Sequence, residues 1–265
     1  MDFLFFGVAL GMLIIAERTP QLRFHPSPLF RSFFVSDLFY LATGGILLSF
    51  LMQAQAVPWA GIFDGSVQRA LADAPFTLTV GVAIILHDLG GYTSHMMLHR
   101  FDALWELHKV HHSSHTLDWL ATFRAHILEH ALRHFLSPVL LILLGFPLAA
   151  VGIASVVLAI WAALVHANLG VSWRWLEPIL ITPRLHRLHH VPATSKRNLG
   201  VFFSVWDRLR GTLETNPTAL LQPTGVPGAV DTYPQTWPRQ LVEPFVQRTV
   251  HRASPIARGA KCLSE

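Results

Sequence analysis

Charge is what this chain has least of. Asp, Glu, Lys and Arg make up 14% of its 265 residues, against about 25% in an ordinary soluble domain. With 52% hydrophobic residues and a mean hydropathy of +0.42, that deficit is the composition of a polytopic membrane protein. Cysteine is nearly missing too. The single Cys262, in the tail, excludes a disulfide framework and a thiolate metal site, so any bound metal must be held by nitrogen and oxygen. The excess of basic residues, +4 overall, forms no stripe interleaved with aromatics. Nucleic acid is therefore not an expected partner, and no nucleotide-binding residues are assigned. The apolar run at residues 3–16 lacks the basic start and small-residue cleavage site of a signal peptide and reads as a membrane helix.

What the chain has in excess is histidine. Fourteen of its 16 histidines fall between His87 and His190, and an imidazole at membrane depth is costly unless it is paired or ligating. His95 and His99 stand at i and i+4, sharing one helical face. His108, His111 and His112 stand at i, i+3 and i+4, and His186, His189 and His190 repeat that H-x-x-H-H spacing.

The rest of the sequence brings those faces together. Residues 17–32 form a polar connector with three prolines and three arginines, and residues 33–52 read as a spanning helix interrupted in charge by Asp37. Residues 53–74 read as a loop. The segment 75–98 starts as a membrane helix and acquires a polar stripe at Asp88, Tyr92, His95 and His99. Residues 135–144 and 148–164 flank a Gly145-Phe146-Pro147 turn and read as a helical hairpin, with His166 at its return end. From Thr215 the chain holds seven of its 17 prolines without a clear period, so this tail is expected to be extended and partly mobile. Arginine and lysine concentrate in the 17–32 connector and around the histidine clusters, which places the clusters on the cytoplasmic side. The expected fold is all-α and integral to the membrane: about four hydrophobic helical segments, with a cytosolic helical cap holding a histidine-rich dimetal site. It forms one domain over residues 1–265, with N-terminal membrane helices in 1–75, a catalytic core over about 80–215 and a Pro-rich tail at 216–265.

Neutral imidazole suits iron, zinc, copper or nickel and not magnesium or calcium. Eight clustered histidines are too many for one ion and about right for two. An all-histidine pair within a membrane suits O2 activation beside a hydrocarbon chain.

The run Asp88-x3-Tyr92-x2-His95-x3-His99-x8-His108-x2-His111-His112-Ser113 resembles the first half of the fatty acid hydroxylase/sterol desaturase superfamily. His166-x-Asn168, Thr182-Pro183-x2-His186-x2-His189-His190, Asn198-x-Gly200, Trp206-Asp207 and Gly211-Thr212 resemble its second half. That resemblance covers roughly residues 85–213. It implies an integral membrane, non-haem di-iron enzyme that uses O2 as co-substrate to hydroxylate or desaturate a lipid C–H bond, with zinc able to occupy recombinant material. By the same match the eight box histidines are the metal ligands and His166 is a ninth. In the segment Arg124-x-His126-x-x-Glu129, His126 is a ligand or substrate contact and Glu129 an acceptor behind a ligand. Met96 stands where the family commonly has a basic residue. The remaining sequence is too short and apolar for a fused cytochrome-like domain, so the reductant is expected to be a separate protein, cytochrome b5-like or a ferredoxin with its reductase. The implied location is the bacterial inner membrane, or the endoplasmic reticulum in a eukaryote.

Two other readings compete. His126-x-x-Glu129-His130 matches the inverted zinc-peptidase pattern, and the clusters could serve a metal transporter, although transport sites lie near the midplane and these lie at helix ends. Asp88 either holds a ligand imidazole by its second nitrogen or is a polar residue facing water. Tyr92 either hydrogen-bonds or packs. For Asn198 and Asp207 the bland reading is turn and capping chemistry, against a supporting role behind the last histidine box.

Overall fold

The computed structural model describes residues 2–28, 30–31, 33–54 and 65–253; Asp64 and Cys262 lie outside them. Among the described residues the regular structure is helical, with two isolated β-bridges. The hydrophobic segments become α1 (Asp2–Arg18), α2 (Phe34–Ala54), α4 (Phe76–Arg100) and a hairpin ending in α8 (Leu148–His166). Of the described helices, α4 and α8 are long and apolar enough to cross a membrane; at 1.5 Å per residue they measure about 37 and 28 Å. Both carry large apolar side chains that no other element covers, including Phe76, Leu78 and Ile85 on α4 and Leu148 on α8.

These two helices pack along one another more extensively than any other pair. Ala83, Leu141, Phe146, Val151 and Ala154 join the middle of α4 to α8 and to α7 (Leu140–Leu143). The other end of α8 is a hub. Ala163 and Ala167 meet Leu13 of α1, and Val165 meets Leu185 and Leu188 of α9 (Pro183–His190).

α4 stops because Phe101 is extended (φ −104°, ψ 120°), and Asp102 then sits in the first turn of α5 (Asp102–His112), where an acidic side chain suits the helix dipole. The Thr182 hydroxyl accepts from the Leu185 N–H and Pro183 opens α9, the residue pattern that starts a helix abruptly. α6 (Ile127–His134) runs into a π-turn at Phe135–Val139 containing Pro138; a proline lacks the N–H that a regular turn would use. The π-turn lies against α4 at Gly90, where a Cβ would collide with the Leu136 carbonyl.

Two segments differ from the sequence expectation. Residues 65–73, within what reads as a loop, form the short helix α3 (Gly65–Asp73). The described part of the tail is not an extended strand of chain: it contains a 3-10 turn at Pro217–Leu221 and the helix α11 (Trp237–Ala253). Pro238 falls in the first turn of α11, where proline is tolerated. The fully buried Gln240 receives from Tyr40 Oη (3.0 Å) and donates to Ser113 Oγ (2.9 Å) and the Pro234 carbonyl (2.7 Å). Composition hid this because these partners are up to 200 residues away in sequence.

Gly90→Ala forces α4 away from the π-turn and should lower stability by about 1–3 kcal/mol. The neighbouring Gly91 has nothing within 4 Å of its Cβ position, so Gly91→Ala should stabilise by about 0.5–1 kcal/mol through helix propensity. Thermal unfolding of both variants in the same detergent separates them; equal melting temperatures would refute the packing.

Candidate metal centre

α4, α5, α8 and α9 bring nine histidines into two adjoining groups. His95, His99, His108, His112 and His189 form one, and His111, His166, His186 and His190 the other. Within each group the ligand nitrogens lie within 4.8 Å of one another, and all nine residues are buried. Helical spacing explains the partition. On α5, His108 and His112 (i, i+4) face the first group, while His111, one turn from His108 but rotated, faces the second. On α9 the arrangement is reversed: His186 and His190 serve the second group and His189 the first. The groups touch, with the His112 and His190 rings stacked at 4.6 Å and His108 and His111 stacked at 5.1 Å.

The outer nitrogens fix the rings. His95 Nδ1 donates to the Leu199 carbonyl (2.7 Å), His111 Nδ1 to that of Arg124 (3.0 Å), His166 Nδ1 to that of Ala162 (2.7 Å) and His189 Nδ1 to that of Arg197 (2.8 Å). His108 Nδ1 meets Glu129 Oε1 at 2.9 Å. A carbonyl oxygen accepts only, so each such Nδ1 carries the proton and each Nε2 is left with a lone pair. His111 Nε2 and His166 Nε2 nevertheless face each other at 3.1 Å. His186 Nε2 lies 2.9 Å from His166 Nε2 and 3.2 Å from His190 Nε2. In the first group, His95 and His108 meet at 3.1 Å, His99 and His112 at 3.3 Å, and His189 Nε2 has no hydrogen-bond partner. Opposed lone pairs repel unless a cation sits between them. Ligand nitrogens about 2.0–2.1 Å from a metal are separated from one another by about 3 Å. The residues fit two metal ions.

Burial, followed by the neighbouring imidazoles, pushes His108, His112, His186 and His190 well below the ordinary histidine range. His111 moves the same way through burial and the adjacent His166, and burial takes His189 down to about 3. All are neutral at physiological pH, the state in which an imidazole can bind a metal. Burial pushes Glu129 up to about 7, with Arg133 at 3.0 Å pulling the other way.

A second layer locks the histidine backbone. Asp37, fully buried, receives Arg124 Nε at 2.5 Å and Arg31 Nη2 at 2.6 Å. Arg31 also holds Asp118 through two contacts, at 2.5 and 2.7 Å. Arg124 Nη1 donates to Ser113 Oγ, beside His112, and to Gln235 Oε1 of the tail, each at 3.1 Å. Gly225 N–H donates to the His190 carbonyl at 3.2 Å.

Several sequence-assigned residues do other work. His126 stands outside both groups and is not placed as a ligand: its Nδ1 accepts from Leu128 N–H, capping α6, and its Nε2 meets the Leu241 carbonyl at 3.2 Å. With both nitrogens engaged, and with Glu129 turned to His108, the His126-x-x-Glu129-His130 motif makes no zinc-peptidase site. Asp88 touches no ligand. Its carboxylate accepts from Phe202 N–H, Phe203 N–H and Trp206 Nε1 (3.0, 3.1 and 2.7 Å), clipping the segment before α10 (Val205–Arg210) to α4. Tyr92 packs in a tilted contact with Trp206. Asn198, at φ +53°, bonds Leu185, Glu214 and Thr212; left-handed backbone of this kind favours asparagine. Asp207 receives Leu199 N–H, Gly200 N–H and Thr212 Oγ1 (3.0, 2.7 and 2.6 Å). Leu199 is the residue whose carbonyl holds His95, so Asp207 supports that ligand at one remove. The carbonyls of Leu199, Arg124, Ala162 and Arg197 leave no trace in a sequence. The roles of Asp37, Arg31 and Gln240 were also missed, although an acid within an apolar 20-residue run is a signal of its own.

Two adjoining clusters of buried imidazoles, each able to hold a metal ion, lie at the ends of two long apolar helices and define a histidine-rich helical protein of membrane type. The sequence model of the fatty acid hydroxylase family matches residues 80–212, half of the chain. This chain belongs to that family. The ornithine lipid hydroxylase OlsE of Rhizobium tropici is 31% identical over 176 residues, covering 66% of this chain and 52% of that protein. Alkylglycerol monooxygenases of Danio rerio and Homo sapiens are each 30% identical over 47% and 48% of this chain, and 28% of their own length. The chain thus matches about half the length of the first relative and less of the others. No solved structure matches it.

His166→Ala should lower the metal bound per chain by half or more, whereas His126→Ala should leave it at the wild-type ratio. Elemental analysis of the purified variants checks both, and a His166→Ala chain with its full metal complement would exclude His166 as a ligand. A second expectation concerns pH. The clustered imidazoles of α5 and α9 titrate in the fold below the unfolded value of about 6.5, so the unfolded chain binds more protons as pH falls. Stability of the metal-free chain, complete above about pH 7, is lost progressively as pH falls from about 6.5 toward the lower folded values, about 3 for His189. Melting temperatures that stayed flat over that range would mean that the histidines are charged in the fold.

Proposed function

We propose that this chain is an integral-membrane, non-haem di-iron monooxygenase that hydroxylates a C–H bond in the apolar part of a membrane lipid. The observation carrying this reading is the pair of sites itself, above all the opposed lone pairs of His111 and His166. Two cations in contact-distance pockets can share one small molecule, and nitrogen-only coordination suits iron. Hydroxylation is preferred to desaturation because the relatives' names denote hydroxylases and monooxygenases acting on lipids. A transporter is disfavoured by ligands gathered at one end of the apolar helices.

Iron held by these histidines would supply the redox chemistry by which O2 and two electrons can attack an unactivated C–H bond. The protein's own part is orientation and exclusion. Five imidazoles have their Nδ1 protons engaged outward by carbonyls or Glu129, so their Nε2 lone pairs point inward without reorganisation. α4 and α8 both end at the site, which puts the ligands where an acyl chain leaves the hydrocarbon layer. The buried Asp37–Arg124 and Arg31–Asp118 pairs keep water from the back of α5, and the tail closes over Ser113 and His190. The balanced reaction takes RH, O2, two electrons and two protons to ROH and H2O.

In this reading α1, α2, α4 and α8 serve as the four spans, the N-terminus faces outward and the histidines lie on the cytoplasmic side. The electrons come from a separate redox protein.

The test is lipid mass spectrometry of a host with and without the gene, grown under 18O2. Wild type should yield a lipid heavier by one oxygen carrying the label. His111→Ala should reduce that product at least a hundredfold while the protein stays in the membrane. A product lighter by two hydrogens would assign desaturation instead, and full product from His111→Ala would sink the reading.

A further inference from the structure

Eight of the nine histidines are sealed to 5% exposure or less; His99 is the most open, at 9%. It borders a cavity of about 310 Å³ that is also lined by Asp102, Trp105, Lys196, Arg197 and Pro227. We propose that this cavity is the docking site of the electron donor, a small acidic one-electron carrier protein, and that Trp105 conducts charge from it to the five-histidine site. The proposal rests on the monooxygenase reading above.

Three features carry it. Trp105 lies between the cavity and the ligands: its ring is 5.0 Å from that of His99, 5.3 Å from His112 and 6.0 Å from His108. Among the described residues, Trp105 and His99 are the aromatic side chains that line this cavity. The rim is basic. Lys196 and Arg197 are exposed, and Arg197 Nη1 reaches the Gly211 carbonyl at 3.4 Å, which ties it to the end of α10. On that helix Arg208 and Arg210 are exposed while Asp207 is buried. From Lys196 to Arg210 four cations therefore face solvent and the one acid does not. Such a field attracts an acidic protein and orients it before contact. Finally, the rim is one hydrogen bond from the five-histidine group, since the Arg197 carbonyl accepts from His189 Nδ1 at 2.8 Å.

The lining argues against a lipid tail, since five of its nine residues, His99, Asp102, Ser195, Lys196 and Arg197, are polar or charged. The redox balance is complete with the carrier named. Two reduced carriers each give one electron and leave oxidised; with two protons, one atom of O2 enters the C–H bond and the other departs as water.

The full chain, iron-loaded and oxidised in lipid nanodiscs, is mixed anaerobically with a reduced plant-type [2Fe–2S] ferredoxin as probe, and metal reduction is followed by stopped-flow absorbance. Lys196→Glu combined with Arg197→Glu should slow reduction by ferredoxin tenfold or more at low salt and weaken ferredoxin binding in a direct titration. Iron content should not change, and the difference should fade as salt screens the charges. Trp105→Leu should slow electron transfer while leaving ferredoxin affinity within twofold, a split that lost packing alone does not produce. Dithionite serves as the reference reductant. If it leaves the wild-type metal unreduced, the di-iron reading itself fails. If it reduces both chains but ferredoxin also reduces the charge-reversed chain at the wild-type rate, the docking proposal alone is overturned. It is equally overturned if charge reversal spares ferredoxin and instead abolishes co-purification of phosphatidylglycerol, which would make the cavity a headgroup site.

Discussion

Two imidazole lone pairs pointed at each other across 3.1 Å, those of His111 and His166, are the constraint around which this molecule is arranged. Neither nitrogen can relieve the other by donating a proton, because each ring already commits its proton to a backbone carbonyl. The arrangement is stable only with positive charge between the rings. In the first group His95 and His108 face each other in the same way at 3.1 Å, their Nδ1 atoms turned to the Leu199 carbonyl and Glu129, and burial keeps the imidazoles of α5 and α9 uncharged, so protonation does not supply the missing charge. A metal site of this kind is therefore also a folding element.

Holding nine rings in such an arrangement requires a rigid surround, and the surround is assembled from distant parts of the sequence. Asp37 on α2 and Arg31 before it reach across to Asp118 and Arg124, and Arg124 is the residue whose carbonyl fixes His111. Removing one partner from such a buried pair typically costs about 3–5 kcal/mol. Asp207 supports Leu199, which fixes His95. Gln240 joins the tail helix to Tyr40 and Ser113 at once. The N-terminal helices and the C-terminal tail are thus part of the same enclosure as the family core at residues 80–212.

Much of the site was legible because metal ligands have to be one of a few residue types and have to recur at helical spacing. His95 and His99, the two H-x-x-H-H boxes, and the two long apolar helices could be read directly. Their partition into five and four could not, since it depends on how α5 and α9 are rotated against each other. Backbone carbonyls are the commonest outer partners of the rings and carry no residue identity. Asp88 and His126 sit on the right stripes and in the right motif, yet the fold spends them on clipping the loop before α10 and capping α6. The tail misled through its prolines: one falls at the start of a helix, where it does no harm, and what orders the segment is a set of long-range contacts, Gln240 with Tyr40 and Ser113, Gln235 with Arg124 and Gly225 with His190.

Each H-x-x-H-H box is divided between the two groups, His108 and His112 against His111 on α5, and His189 against His186 and His190 on α9. Both sites therefore draw on both helices. The first ion to bind must order α5 and α9 relative to one another, and in doing so it arranges most of the second site in advance. Ordering already accomplished by one ligand need not be repeated for the next. On the proposed two-ion reading, metal uptake would then be cooperative, the second ion meeting helices that the first has already set in place.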